Sequence, residues 1–209
     1  MEPHGTSHRG EDEMKQKPPG AGKESLGIID APSLFTELDL SRTRIFLDLG
    51  CGPGKYSLEV LQHLSQEAMV IAVDLWEEGL RNLQESMKAR DISRISPILA
   101  DIGRGIPLKM DTVDVCLVAN ALHELILSKK NKEALREITR VLEPKGEPAV
   151  TEFKKVPGTG SPLHILIEAN QLSDMVKSHG FRNVKVVETG PYNYLPIYRL
   201  EVNDAYGDH

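Results

Sequence analysis

Ile45-Phe-Leu-Asp-Leu-Gly-Cys-Gly-Pro-Gly-Lys55 is the stretch that decides the fold. Ile45-Phe46-Leu47 is a compact apolar run that ends on Asp48 and a cluster of glycines, the pattern of a buried strand stopping at a tight turn. After Gly54 the apolar residues change period: Leu58, Leu61 and Leu64 recur at helical spacing. A strand, a glycine turn and a helix follow one another without a gap.

The same alternation recurs downstream. Met69 to Val73 reads as a strand ending at Asp74, followed by a helix with Leu80, Leu83 and Met87 on one face. Ile95 to Ala100 ends at Asp101, and Val113 to Ala119 ends at Asn120. Lys132 to Leu142 carries Leu135, Ile138, Val141 and Leu142 on one side and is stopped by Glu143-Pro144-Lys145-Gly146. Strand then helix, four times over, predicts a parallel sheet with helices on both faces. Ala149 to Phe153 is the expected fifth strand, with Pro148 tolerable only at its first position. A helix over Leu172 to His179 is closed by Gly180 and followed by strands Val184 to Val187 and Leu195 to Val202. Only a short segment around Gly190-Pro191 separates those two strands, too little for a parallel crossover, so the sheet should end in an antiparallel hairpin.

Upstream, Leu26, Ile28, Ile29, Leu34, Phe35 and Leu38 suggest an apolar lead-in helix. Residues 1–25 are nearly all polar, Gly or Pro and are expected to form a mobile tail, stiffest at Pro18-Pro19-Gly20, ahead of one domain over 26–209. With 25 basic and 31 acidic residues the net charge is −6, which argues against a surface built to grip nucleic acid phosphates. No window resembles a membrane span, the N-terminus lacks the apolar core of a secretory signal, and the two cysteines form no disulfide framework. A reduced, cytoplasmic setting is expected.

Ligands of open α/β sheets sit outside the carboxyl ends of the strands, where Asp48, Asp74, Asp101 and Asn120 should line one edge. A dinucleotide cradle would read G-x-G-x-x-G, yet counting from Gly50 the sixth position is Lys55 and the third glycine falls one residue early, at Gly54. Asp48 beside the turn would repel a pyrophosphate and attract a cationic ligand. Asp74 lies twenty residues after Gly54, the distance at which an acid meets ribose hydroxyls.

Asp48-Leu-Gly-Cys-Gly-Pro-Gly54, Ala72-Val-Asp74, Ala100-Asp101, Ala119-Asn-Ala-Leu-His-Glu124 and Arg140-Val-Leu-Glu-Pro-Lys-Gly146 together resemble the class I S-adenosylmethionine-dependent methyltransferases, over about residues 26 to 202. Within them the chain is most similar to small stand-alone enzymes of the kind that includes the ubiquinone and menaquinone C-methyltransferases. Pro144-Lys145-Gly146 departs from the usual Pro-Gly-Gly. The resemblance implies a Rossmann-like fold, a mostly parallel seven-stranded sheet with a C-terminal antiparallel hairpin. It implies S-adenosyl-L-methionine as cofactor and S-adenosyl-L-homocysteine as product. It further implies that Gly50 and Gly52 lie under the methionine portion with Asp48 nearby, that Asp74 accepts both ribose hydroxyls, and that Leu75 and Trp76 flank the adenine. Asp101 would accept the adenine amino group, Ile102 would offer its backbone amide to the ring, and the Asn120 carbonyl would face the methionine ammonium.

His123 follows the fourth strand where the transferred methyl group should emerge; it is either the base that deprotonates an acceptor or a histidine that shapes the pocket. Glu124 and Glu152 are weaker candidates for similar roles, and His164 lies in a segment that would cover the acceptor. Tyr192, Asn193 and Tyr194 either stack on a small acceptor or serve packing. Cys51 reads as a small turn residue and Cys116 as core, while Lys129-Lys130 and Lys154-Lys155 read as solvated ends of elements. No His/Cys/Asp cluster has metal-ligand spacing. Lys23 to Asp30 would fold over the cofactor as a lid. A small-molecule acceptor is expected; a protein or RNA acceptor, a non-catalytic S-adenosylmethionine-binding regulator and an NAD-dependent oxidoreductase are the alternatives. Oligomeric state is not legible.

Overall fold

The computed structural model describes residues 31–157 and 163–201. Helix α1 (Ala31–Thr36) leads into β1 (Ile45–Leu49), whose residues are needed on both faces. Phe46 packs in one core cluster with Phe35, Tyr56 and Val60, and Leu47 and Leu49 pack in the other with Val73, Cys116 and Val118. Burial on both sides is why the run is apolar without alternation.

The chain continues through α2 (Lys55–Val60), β2 (Met69–Asp74), α3 (Glu77–Ala89), β3 (Ile95–Leu99), β4 (Val113–Ala119), α4 (Leu122–Leu127) and α5 (Asn131–Val141). It closes with β5 (Leu142–Phe153), a 3-10 turn (Leu163–Ile165), α6 (Ala169–Lys177), β6 (Phe181–Glu188) and β7 (Asn193–Leu200). Seven strands form one sheet in the order β3-β2-β1-β4-β5-β7-β6. Neighbours from β3 to β5 are parallel, and β7 runs antiparallel to both β5 and β6. The expected sheet and hairpin are therefore present, and strand order reverses between β1 and β4, where a ligand crevice is expected.

Two expectations are corrected. The alternation of strand and helix is interrupted after the third strand: the connection from β3 to β4 is built of turns. Gly103, Gly105 and Pro107 break any helix there. The connection instead covers the sheet with Ile102 and Ile106 and is tied to α5 by side chains. Ile106 N–H donates to Glu137 Oε2 at 2.8 Å, and Arg140 donates to the carbonyls of Ile106 and Leu108, each at 2.8 Å. Arg140 also donates to the Glu137 carboxylate, Nε to Oε1 and Nη2 to Oε2, each at 2.7 Å, which holds that carboxyl below its usual range.

Pro148 is the second correction, since it lies inside β5 rather than at its start. Val113 pairs with Leu142 and Val115 with Glu147, so Glu143-Pro144-Lys145-Gly146 bulges out and continuous pairing begins only at Glu147. Pairing with β7 starts one residue after Pro148, at Ala149, so the missing N–H leaves that ladder intact.

Helical boundaries shift by a few residues, to Ala169–Lys177 for the helix expected at Leu172 to His179. The last strand ends at Leu200, and Val202 lies outside the described residues, as do the tail 1–25 and the segment Lys23 to Asp30. At the sheet edge, Phe181 is buried while Arg182 to Val186 are exposed, and the pairing of β6 with β7 slips between Asn183 and Lys185. Lys185 is ion-paired with Glu37. Among the described residues no helix is long and apolar enough to cross a membrane.

Candidate active site

The glycine turn is positioned by β2 as much as by β1, because Gly50 N–H and Cys51 N–H both donate to the Val73 carbonyl, at 2.8 and 3.2 Å. Gly50 has φ 72°, and a Cβ there would lie 2.7 Å from Ala121 Cβ, so the turn presses against the end of β4. Gly52 has φ 53° and faces open space, with nothing within 4 Å of a built Cβ. Bare backbone exposed to open space is what a ligand needs in order to lie directly on the turn.

Asp74 closes this loop from the next strand. Its carboxylate accepts Gly52 N–H and Trp76 N–H, both at 2.6 Å, and is nearly buried. Desolvation raises its pKa, opposed by those backbone donors. Each oxygen retains a lone pair for a further donor. Trp76 packs beside the same turn: a Cβ on Gly79 would meet the Trp76 ring at 2.5 Å and the Gly52 carbonyl at 3.0 Å. Leu75 is half-buried, whereas Ile102 belongs to the core beneath the sheet edge.

Asp48 is fully buried, with Ser57 Oγ donating to its Oδ2 at 2.6 Å and no partner for Oδ1. Burial pushes its carboxyl up to about 7. An orphaned acceptor oxygen under a glycine turn suits a cationic group. Together with the open face of Gly52 and the spare lone pairs of Asp74, it fits S-adenosylmethionine, which carries a sulfonium, an ammonium and a ribose diol.

Asp101 sits beside Asp74, where Ala100 N–H donates to the Asp74 carbonyl at 3.0 Å. Its carboxylate is already engaged: Oδ1 accepts Gly103 N–H at 3.0 Å, and Oδ2 accepts Lys130 Nζ at 2.7 Å, with Arg104 Nε at 3.3 Å. A Cβ on Gly103 would meet the Lys130 stem at 2.5 Å, so the lysine lies across that glycine. The reading of Lys130 as a solvated end is thereby corrected. Lys154 is likewise part-buried, paired with Glu188 at 3.2 Å.

At the end of β4, Asn120 takes φ 52°, a conformation asparagine tolerates, and its N–H donates to the Thr151 carbonyl at 2.9 Å. His123 is buried three residues on. Its backbone N–H donates to Glu152 Oε1 at 3.1 Å, and its ring Nδ1 lies 2.9 Å from Glu152 Oε2. On the other side of the ring Nε2 lies 3.7 Å from Glu124 Oε1, so the imidazole sits between the fully buried Glu152 and the half-buried Glu124.

Other candidates lie apart from this chemistry. His164 is exposed on the 3-10 turn. Tyr194 is buried and its hydroxyl donates to the Ile167 carbonyl at 2.7 Å, which is packing. Both thiols are buried, and burial raises each well above the usual range, so neither supplies thiolate. No group of three or more His, Cys, Asp and Glu could hold a metal among the described residues. Ser57 and Lys130 were not legible as site residues, since each meets its acid only after the chain folds back. Asn193, expected either to stack on a small acceptor or to serve packing, is fully buried and contacts Asn120.

Residues 46–146 match the methyltransferase domain family. The chain is 32% identical over 127 residues to the demethylmenaquinone methyltransferase of Chlamydia muridarum, covering 61% of this chain and 52% of that protein. It spans about half the length of the curated relatives it matches. Among solved structures, a SAM dependent methyltransferase from Aquifex aeolicus superposes with TM-score 0.78 at 24% identity, over 88% of this chain and 95% of that one. The cyclase SpnF superposes with TM-score 0.70 at 19% identity, over 81% and 79%.

Proposed function

With residues 46–146 a methyltransferase domain on the class I S-adenosylmethionine-dependent fold, we propose that this protein transfers a methyl group from S-adenosylmethionine to a small-molecule acceptor. When bound, that cofactor supplies an electrophilic methyl group for in-line displacement by the acceptor. The observation that carries the reading is the glycine turn at the strand-order reversal, where Gly52 faces open space, Asp74 holds its N–H, and the buried Asp48 of the preceding strand keeps one oxygen without a partner.

In this reading Gly50 and Gly52 support the methionine portion, Asp48 offers charge to its cationic groups, and Asp74 takes the ribose hydroxyls on its spare lone pairs. Leu75 and Trp76 flank the adenine, Ile102 offers its amide, and Asn120 turns its carbonyl to the ammonium. Asp101 meets the adenine amino group through the side of its carboxylate that Lys130 and Gly103 leave unused. His123 acts on the acceptor: Glu152 orients the ring and stabilises the imidazolium formed when Nε2 takes a proton from a hydroxyl, amine or acidic carbon. The small acceptor is supported by the net charge of −6 and by a relative that methylates demethylmenaquinone.

Calorimetric titration with S-adenosylhomocysteine, alongside NAD, tests the cofactor. Micromolar binding of the first and none of the second is expected; binding of NAD alone would overturn the reading. Since the cyclase SpnF shares this fold, turnover is read separately, as S-adenosylhomocysteine formed with fractions of a metabolite extract.

A further inference from the structure

Asn193 opens β7, far along the chain from Asn120, yet its Nδ2 donates both to Asn120 Oδ1 at 3.2 Å and to the Glu152 carbonyl at 3.4 Å. A carbonyl only accepts, so the contact to Glu152 fixes which way the Asn193 amide faces, and Asn120 must answer with its oxygen. Asn120 Nδ2 and Asn193 Oδ1 are then left buried without partners. Asn193 is fully buried. One side chain therefore grips the left-handed residue at the end of β4 and the strand whose carboxylate holds His123.

Building on the methyltransferase reading, we propose that Asn193 is a positioning residue that couples the cofactor site to the acceptor site. By holding the Asn120 side chain against β5 it sets the direction of the Asn120 carbonyl, and through the Glu152 backbone it shares that restraint with His123. Residues joined in one hydrogen-bond network change each other's energetics non-additively, which gives the coupling a direct measure.

The test is a double-mutant cycle read by calorimetric titration with S-adenosylhomocysteine. Asn120→Gly keeps the left-handed backbone while removing the side chain that Asn193 grips. Asn193→Ala is expected to weaken binding roughly five- to tenfold in the otherwise unmodified protein and less than about twofold in the Asn120→Gly background. Equal losses in both backgrounds, or no loss in either, would overturn the proposal. Asn193→Ser carries the same cycle should the alanine variant not fold. NMR of the His123 ring supplies the second readout: saturating S-adenosylhomocysteine shifts its signals in the unmodified protein and not in Asn193→Ala. A shift of the same size in both overturns the link to Glu152. Failure of the unmodified protein to bind S-adenosylhomocysteine would overturn the methyltransferase reading itself, a result distinct from binding without coupling.

Discussion

Asp48→Asn separates what a buried carboxyl costs the fold from what it does for a ligand. Burial raises Asp48 from the ordinary 3.8 to about 7, with the Ser57 hydroxyl pulling against the rise. Unfolded, the same group ionises near its ordinary value. Between about pH 4 and pH 7 the folded protein therefore binds a proton that the unfolded chain has released, and stability falls as pH rises through that window. At about 1.36 kcal/mol per pKa unit, the loss attributable to this one group is roughly 4 kcal/mol by about pH 8. Asparagine has nearly the same shape, can still accept the Ser57 hydroxyl and does not ionise. In urea unfolding, the stability of the variant relative to the wild type should therefore improve by roughly 3 kcal/mol between about pH 4.5 and about pH 8. A difference that stays constant to within about 0.5 kcal/mol across that range would refute the burial argument. The ligand side follows from the same linkage: a cation beside Asp48 favours its ionised form, so S-adenosylmethionine binding near pH 7 should release part of a proton. That release appears as a dependence of binding heat on the buffer's ionisation enthalpy, and it should vanish in Asp48→Asn.

Three further outcomes are expected. Asp74→Ala should weaken S-adenosylhomocysteine binding roughly tenfold to a hundredfold in calorimetry, as hydrogen bonds to a carboxylate are worth about 1.5 to 3 kcal/mol, and it should also lower the melting temperature by orphaning Gly52 and Trp76 N–H. Gly52→Ala, at an open position, should cost only the left-handed strain of about 1 to 2 kcal/mol while sharply reducing ligand affinity; Gly50→Ala adds a clash with Ala121 and should be the less stable of the two by thermal melting. Removing residues 1–22 should leave S-adenosylhomocysteine affinity unchanged, whereas removal through Asp30 should reduce it, as the lid reading requires; equal affinities would count against it.

What could be read beforehand was whatever is encoded locally. Ile45 to Gly54 announces strand and turn because apolar run, acid and glycines are contiguous, and the hairpin followed from a connection too short for any crossover. The β3–β4 connection misled because Ile102 and Ile106 are apolar for burial, while beside its local turns the span is anchored by backbone groups of Ile106 and Leu108 bonded to Arg140 and Glu137, more than thirty residues away. Pro148 misled because a bulge in β5 separates the strand's first residue, Leu142, from Glu147, where its pairing becomes continuous. The acids at the strand ends were visible; their hydrogen-bond partners were not. Ser57 is a small hydroxyl within a helix, and Asn193 reaches Asn120 across 73 positions, so neither pairing carries a sequence signal apart from the fold.

The outer edge strand bears on how the protein behaves in concentrated solution. An open edge offers its backbone as a template for another chain, and Val184 and Val186 on β6, 40% and 48% exposed, would favour that association. The slip in register beside Lys185 twists the edge, while Arg182, Lys185 and Glu188 place charge along it. Those devices work against edge-to-edge aggregation: among the described residues, a few charged side chains and one irregular pairing guard this edge.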